Sequence, residues 1–335
     1  SPFLALTIIL LFGFENLMAF CIKFLKICIT LSGSALISGI SEHILLLTDA
    51  AIIGNIPINT AESIAAVGIV GTFLSMLIWI FGQTRSAISS IISQYLGANK
   101  INEVKNLPAQ AILIITSLSL LIIVGTYPFT NSIFKLYNAS GLILEYCSEY
   151  YKIRVFGFPF TLFTIAVFGT FRGLQNTFHP MIIAVVGALT NIVLDIVLVY
   201  GVEGFIAPMH IKGAAYASVV AQLLMALLSA YFILKKTDVP LMVKLPFNKE
   251  IKNFSLMVLN LFVRTLALNI TLYFATRFAT AYGKNYIAAY TIAINLWFFG
   301  AFVIDGYASA GNILSGKLFG AKQYSDLIKL SNTLI

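Results

Sequence analysis

Long apolar runs, separated by short polar segments, dominate the chain. Eight of them, at 27–53, 63–95, 107–128, 153–171, 179–200, 213–234, 254–281 and 286–316, are each about as long as a helix needs to cross a ~30 Å hydrocarbon core. A transmembrane barrel would instead show ~10-residue segments of alternating polarity, and no such alternation is present. The pattern predicts an all-α polytopic membrane protein. A further apolar stretch at 3–22 contains Glu15 and Asn16, and the chain begins at Ser1. Three readings of it stay open: an extra span, a signal-like segment, or an upstream coding artefact.

Composition agrees with this class. Of 335 residues, 59% are hydrophobic and 10% charged, against ~25% charged in an ordinary soluble domain, and the mean hydropathy is +0.93. The net charge of +8 is explained by loop lysines without invoking nucleic acid. Thirteen loop Lys and Arg residues, from Lys23 to Lys329, fall on one side of the membrane. Five (Lys135, Lys152, Arg154, Lys212 and Lys284) fall on the other. The first side is therefore predicted to be cytoplasmic, and the protein to lie in the cytoplasmic (inner) membrane. Cys21, Cys28 and Cys147 have no CxxC spacing and are expected to be packing residues. No GxxxxGK[ST], HExxH or GxSxG motif occurs, and His43, His179 and His210 are scattered. Neither an enzyme, a cofactor nor ATP-driven transport is expected from this chain.

An internal repeat organises the spans. The segment "SIAAVGIVGTFLSMLIWIFGQTRSAISSIISQYLGA" (63–98) aligns without a gap to "YIAAYTIAINLWFFGAFVIDGYASAGNILSGKLFGA" (286–321), at an offset of 223. Identities include Ile64/Ile287, Ala65/Ala288, Ala66/Ala289, Ser86/Ser309, Gly97/Gly320 and Ala98/Ala321. Six helices separate equivalent points, and an even number implies a parallel repeat about an axis along the membrane normal. The expected organisation is an N-terminal extension (1–30), an N-terminal six-helix bundle (31–250) and the first part of a second bundle (251–335). A full second copy would need roughly 130 further residues, so the chain reads as a fragment of a longer protein.

Charged and polar groups inside spans are the candidates for function, because an ionised side chain at the bilayer centre costs ~2.5–3.5 kcal/mol on insertion scales. They are Glu42, His43, Asp49, Asn191, Asp195, Arg264, Arg277 and Asp305. Asn191 and Asp195 are spaced i, i+4 and share a helix face with Gly187. That stripe reads either as an ion or proton site or as a structural hydrogen-bond network along a packing seam. Asp49 lies late in the first clear span, with Glu42 on the same face ~10.5 Å earlier. Carboxylates from two helices of one bundle are able to converge on a monovalent cation or share protons. Arg264 calls for a carboxylate or carbonyl partner, and Asp305 on the next helix is one candidate.

At these residues the chain resembles a known family. "LTDAAIIGNI", "SIAAVGIVG", "SQYLGANK", "FRGLQNTFHPM", "NIVLDIVLVYG", "IKGAAYAS" and "IDGYASAGNILSGKLFGAKQ" are similar to segments of the MATE (multidrug and toxic compound extrusion) transporters, most of all its DinF-like branch. The resemblance runs in order from about residue 31 to the end. It implies a fold of two six-helix bundles, the second truncated here. It also implies a cation-coupled antiporter that exports organic compounds in exchange for H⁺ or Na⁺. The family's cation site maps onto Asp49, Asn191 and Asp195, with Ser218 as a hydroxyl on the sixth helix; Glu42, Arg264 and Asp305 become accessory or cavity residues. Ser34 stands where many members have a proline, Phe168 where some carry an asparagine near the "RG" motif, and Arg264 is the nearest charge to a glutamate common on the seventh helix. Expected partners are a small organic substrate, the coupling cation and the bilayer, for a monomeric protein. Two other functions remain in view: an organic-anion exporter or lipid-linked precursor flippase on the same fold, and a non-transporting membrane scaffold.

Overall fold

A computed structural model describes residues 33–34, 48–49, 51–282 and 284–334. Glu42, His43, Cys21, Cys28 and the 1–30 extension lie outside the described residues. Helical residues 48–49 and 51–53 close the first clear span. After them come α1 (Thr60–Gly82), α2 (Thr84–Gly97), α3 (Leu107–Thr126), α4 (Thr130–Leu136), α5 (Gly141–Arg154), α6 (Phe158–Gly173), α7 (Phe178–Tyr200), α8 (His210–Lys236), α9 (Ile251–Tyr282), α10 (Lys284–Gly320) and α11 (Tyr324–Leu334). Six helical stretches among the described residues are long and apolar enough to cross a membrane. The protein is a multi-pass, all-α membrane protein.

Two of the expected spans differ in detail. The run 63–95 lies in one helical stretch, Thr60–Gly97, interrupted for a single residue between α1 and α2 at Gln83. No proline causes this. The Thr84 hydroxyl donates back to the Phe81 carbonyl at 2.7 Å, competing with the helix's own hydrogen bonds at that point. The expected span 153–171 begins much earlier, because α5, a 3₁₀ turn at Val155–Gly157 and α6 form one helical stretch, Gly141–Gly173. Hydropathy hides its first half, since Glu145, Glu149 and Lys152 dilute the apolar positions. Pro159 sits in the first turn of α6, where its missing N–H costs nothing.

Two clusters of buried side chains hold α1–α8 together. One gathers Ile53, Phe73, Phe134, Tyr151 and Val199, and the other Ile88, Ile92, Leu107, Leu162, Phe171 and Ile233. α7 and α8 pack along one another as an antiparallel hairpin. Gly213 on α8 permits this, because a Cβ there would lie 2.5 Å from the Leu198 carbonyl oxygen.

The repeat is visible as a contact. α2 and α10 cross where a Cβ on Gly97 would strike the Lys317 carbonyl, one on Gly320 the Gln94 carbonyl, and one on Gly316 the Ser93 hydroxyl. At the offset of 223, Gly97 corresponds to Gly320, Gln94 to Lys317 and Ser93 to Gly316. The first two contacts are therefore copies of each other, and the third maps onto itself. This is what a local two-fold axis through the Ser93–Gly316 contact requires. The crossing sits on the lysine-rich side. Nearby, Arg172 Nη1 donates to Ser309 Oγ at 3.0 Å and Lys317 Nζ to Gln175 Oε1 at 3.3 Å.

The connection from α8 to α9 is docked rather than loose. Buried Gln110 on α3 donates to the Lys244 and Pro246 carbonyls at 2.7 and 3.3 Å and accepts from the Asn248 amide at 2.8 Å.

Candidate functional site

Three elements meet at one buried polar cluster: the helical segment carrying Asp49, α7 with Asn191 and Asp195, and α8 with Ser218. All four side chains are essentially inaccessible, Asp49 at 2%, Asn191 at 3%, Asp195 at 0% and Ser218 at 1% exposure. The i, i+4 spacing turns Asn191 and Asp195 to the same side of α7. From there the Asn191 amide donates to an Asp195 carboxylate oxygen and, at 3.5 Å, to Asp49 Oδ1. Asp49 lies within electrostatic reach of Asp195 and Ser218 as well. The segment carrying Asp49 is held by the Tyr200 hydroxyl at the end of α7, which donates to the Ile52 carbonyl at 2.7 Å.

The cluster is short of hydrogen bonds. Asp195 Oδ1, Ser218 Oγ and, one turn further along α8, Gln222 Oε1 are buried with no hydrogen-bond partner. An unmatched buried polar atom costs ~1–3 kcal/mol, and more when it is charged. Two carboxylates in one desolvated site also repel each other. Both penalties fall when a cation enters. The donors on offer are carboxylate, amide and hydroxyl oxygens, the hard ligands that suit a proton or an alkali cation. Among the described residues no group of three or more His, Cys, Asp and Glu side chains has the arrangement of a metal centre, and none is needed for this chemistry.

Two members of the cluster were not expected. Tyr150 on α5 is buried at 2% exposure, and its hydroxyl lies near Arg154, Asp49 and Asp195. Arg154, one turn further on, acts electrostatically on both carboxylates. Sequence reading put Arg154 among loop cations of the lysine-poor side. The structure instead places it at the α5–α6 junction, half-buried. The i, i+4 spacing of Tyr150 and Arg154 was the signal available for finding it.

The remaining candidates behave differently. Gly187 lies one turn before Asn191 on the same buried face of α7, where it leaves room for Met225, whose sulfur a Cβ there would strike. Arg264 on α9 and Asp305 on α10 are both exposed. Among the described residues no ion pair joins them, and neither hydrogen-bonds to the Asp49–Asp195 cluster. Arg264 lies within the Ile251–Leu272 span, where an unpaired charge needs a water-filled cavity or the interior of a bundle. Cys147 is a buried free thiol that packs between α5 and α1, its sulfur 3.8 Å from the Ala66 carbonyl oxygen.

A polytopic helical fold with a two-fold internal repeat and a buried carboxylate pair defines the class of repeat-built, multi-pass helical membrane proteins. The chain belongs to the MatE family, whose model matches residues 34–197 and 257–335. It is 28% identical over 295 residues to the DNA damage-inducible protein F of Escherichia coli (strain K12), covering 87% of this chain and 63% of that one. It is 25% identical over 218 residues to the multidrug export protein MepA of Staphylococcus aureus (strain NCTC 8325 / PS 47), covering 64% of this chain and 47% of that one. Among solved structures, a MATE protein in its bent conformation superposes with a TM-score of 0.85 at 24% identity, covering 96% of this chain and 71% of that chain. A MOP superfamily transporter from Pyrococcus furiosus gives 0.81 at 24% identity, covering 92% and 68%. The chain thus spans less than two thirds of the length of the curated relatives it matches.

Proposed function

We propose that the full protein is a cation-coupled antiporter that exports organic compounds across the cytoplasmic membrane by alternating access. Asp49 and Asp195 hold the coupling cation, H⁺ or Na⁺, Ser218 supplies a neutral oxygen, and Asn191, whose amide N–H bridges the two carboxylates, turns its oxygen toward the cation when it binds. One observation carries this reading: two fully buried carboxylates from different helices share a single asparagine donor, and unmatched oxygens remain around them. A structural seam would gain nothing from that arrangement, which disfavours a scaffold role. The kinship with proteins named for multidrug export favours an organic cargo.

Cation entry removes the repulsion between the carboxylates, so the cation binds best to the arrangement that brings the three elements together. Cargo binding favours the other arrangement, and the two ligands are coupled through their difference in affinity. Each charge moved down 100 mV supplies ~2.3 kcal/mol, equivalent to a cargo gradient of about fiftyfold. The Asp195→Asn variant is expected to reach the membrane in normal amounts and to lose cation-driven efflux. Undiminished efflux would overturn the assignment. Exposed Arg264 favours a second reading of the cargo alone, as an organic anion or a lipid-linked precursor; efflux of cationic dyes against efflux of carboxylates separates the two.

A further inference from the structure

The carboxylate pair is faced by a cation that the chain itself carries. Arg154 is the last residue of α5, at the point where the chain turns through Val155–Gly157 into α6. α5 is pinned on two sides. The Cys147 thiol meets the Ala66 carbonyl on α1, and Glu149 pairs with Lys212 at the start of α8, at 3.1 Å. The guanidinium is thereby held beside the cluster. Three residues on, Gly157 packs directly against the Gln222 side chain on α8, one turn from Ser218, and one turn before, Tyr150 packs in one cluster with Ile52, Ile53 and Val199, the sequence neighbours of Asp49 and Asp195; from this position the positive charge of Arg154 acts on both carboxylates. Yet its Nε is buried without a hydrogen bond, and none of the ion pairs among the described residues joins it to either carboxylate. Asp195 Oδ1 is unbonded too. A buried donor and a buried acceptor on neighbouring elements are therefore both without a hydrogen bond.

We propose that Arg154 is a built-in counter-cation of the Asp49–Asp195 site, limiting the site to a single coupling charge and weakening the hold on that cation so that it is released. Two ionised carboxylates beside one guanidinium leave one net negative charge, which a single monovalent cation neutralises. Arg154 stays near enough to oppose that cation throughout. Arg154 is thus a positioning and affinity-setting residue, not a ligand of the transported cation.

The inference rests on the coupling-site reading, and the test separates the two. The thermal midpoint of the full-length detergent-solubilised protein is followed against NaCl, with choline chloride holding ionic strength constant, and, where the wild type does not respond to Na⁺, against pH, on which the same tightening reads as a rise of about one unit or more in the pH of the transition. Arg154→Gln, or Arg154→Met should the first not fold, is expected to lower the half-saturating Na⁺ concentration by about tenfold or more, the scale of one neighbouring charge in a partly desolvated site. Arg154→Lys keeps the charge and is expected to stay close to wild type. Adding Asp195→Asn to Arg154→Gln is expected to abolish the Na⁺ response. No tightening in either neutral variant, or equal tightening in Arg154→Lys, overturns the inference. Loss of efflux in Asp195→Asn alone, together with no tightening in Arg154→Gln, removes the role of Arg154 and leaves the coupling site standing. Undiminished efflux in Asp195→Asn removes both.

Discussion

At the scale of single residues, the cluster separates groups that hold the fold from groups that wait for a ligand. Asn191 does both, since its one amide faces two carboxylates. Ser218 is the cleaner probe. Its hydroxyl is buried beside Asp49 without a well-formed hydrogen bond, so Ser218→Ala removes little that stabilises the fold. The expected stability change is within about 1 kcal/mol, while the half-saturating concentration of the coupling cation rises severalfold. Thermal melts read the first and efflux against cation concentration reads the second. A large loss of stability with unchanged cation dependence would show that Ser218 is structural. Much of this site was legible beforehand for a physical reason: Asp49, Asn191 and Asp195 are costly in a membrane, and a regular helix turns spacing into facing. Convergence was not legible, because no local pattern states that two helices far apart in sequence touch. Tyr150 and Arg154 were missed for a related reason. They lie in a helix whose Glu145, Glu149 and Lys152 make it resemble a loop, so a hydropathy reading discarded the segment that carries them.

At the scale of elements, the long apolar helices followed directly from their sequence, since bilayer thickness sets their length. What hydropathy does not carry is how polar connections are fixed. The α8–α9 connection depends on Gln110, which is buried within α3 and uses both its amide nitrogen and its oxygen on the backbone of 244–248. Asn248 reinforces the join by donating to the Glu103 carbonyl at 2.6 Å. In sequence, Gln110 is a single polar residue at the start of an apolar run, indistinguishable from a membrane-surface position. Gln110→Leu leaves two carbonyls and an amide without their partner and is expected to cost about 1–3 kcal/mol. It should lower the melting temperature and speed protease cleavage between 237 and 250. Unchanged melting and unchanged cleavage would mean that water replaces Gln110 and that the connection docks by other contacts.

At the scale of the whole molecule, the internal repeat and the glycine crossing together say how the two copies meet. Only residues without side chains allow α2 and α10 to cross backbone against backbone at Gly97 and Gly320 and to seat Ser93 against Gly316, and the local two-fold explains why Gly97 and Gly320 recur 223 residues apart. On the lysine-rich side this crossing, with the Arg172–Ser309 and Lys317–Gln175 bonds, closes the two copies onto each other. Alternating access requires that such a closure open at some stage of the cycle. Ser93 and Gly316 make the requirement testable, since a Cβ on Gly316 would stand 3.1 Å from that of Ser93, near the ~3.5–4.5 Å that a disulfide spans. In a chain whose native cysteines are replaced, the pair Ser93→Cys and Gly316→Cys is expected to cross-link on mild oxidation. A protease site placed between 237 and 250 reveals the link, because the two halves then stay together on a gel until reduced. Cross-linked protein is expected to lose efflux and to regain it with a thiol reductant, while each single cysteine variant is unaffected by oxidant. The coupling cluster lies outside this crossing, so cation-induced stabilisation should survive the cross-link. Efflux that continues through a complete cross-link would mean that the copies never part at the glycine crossing, and that access changes within α1–α8 alone.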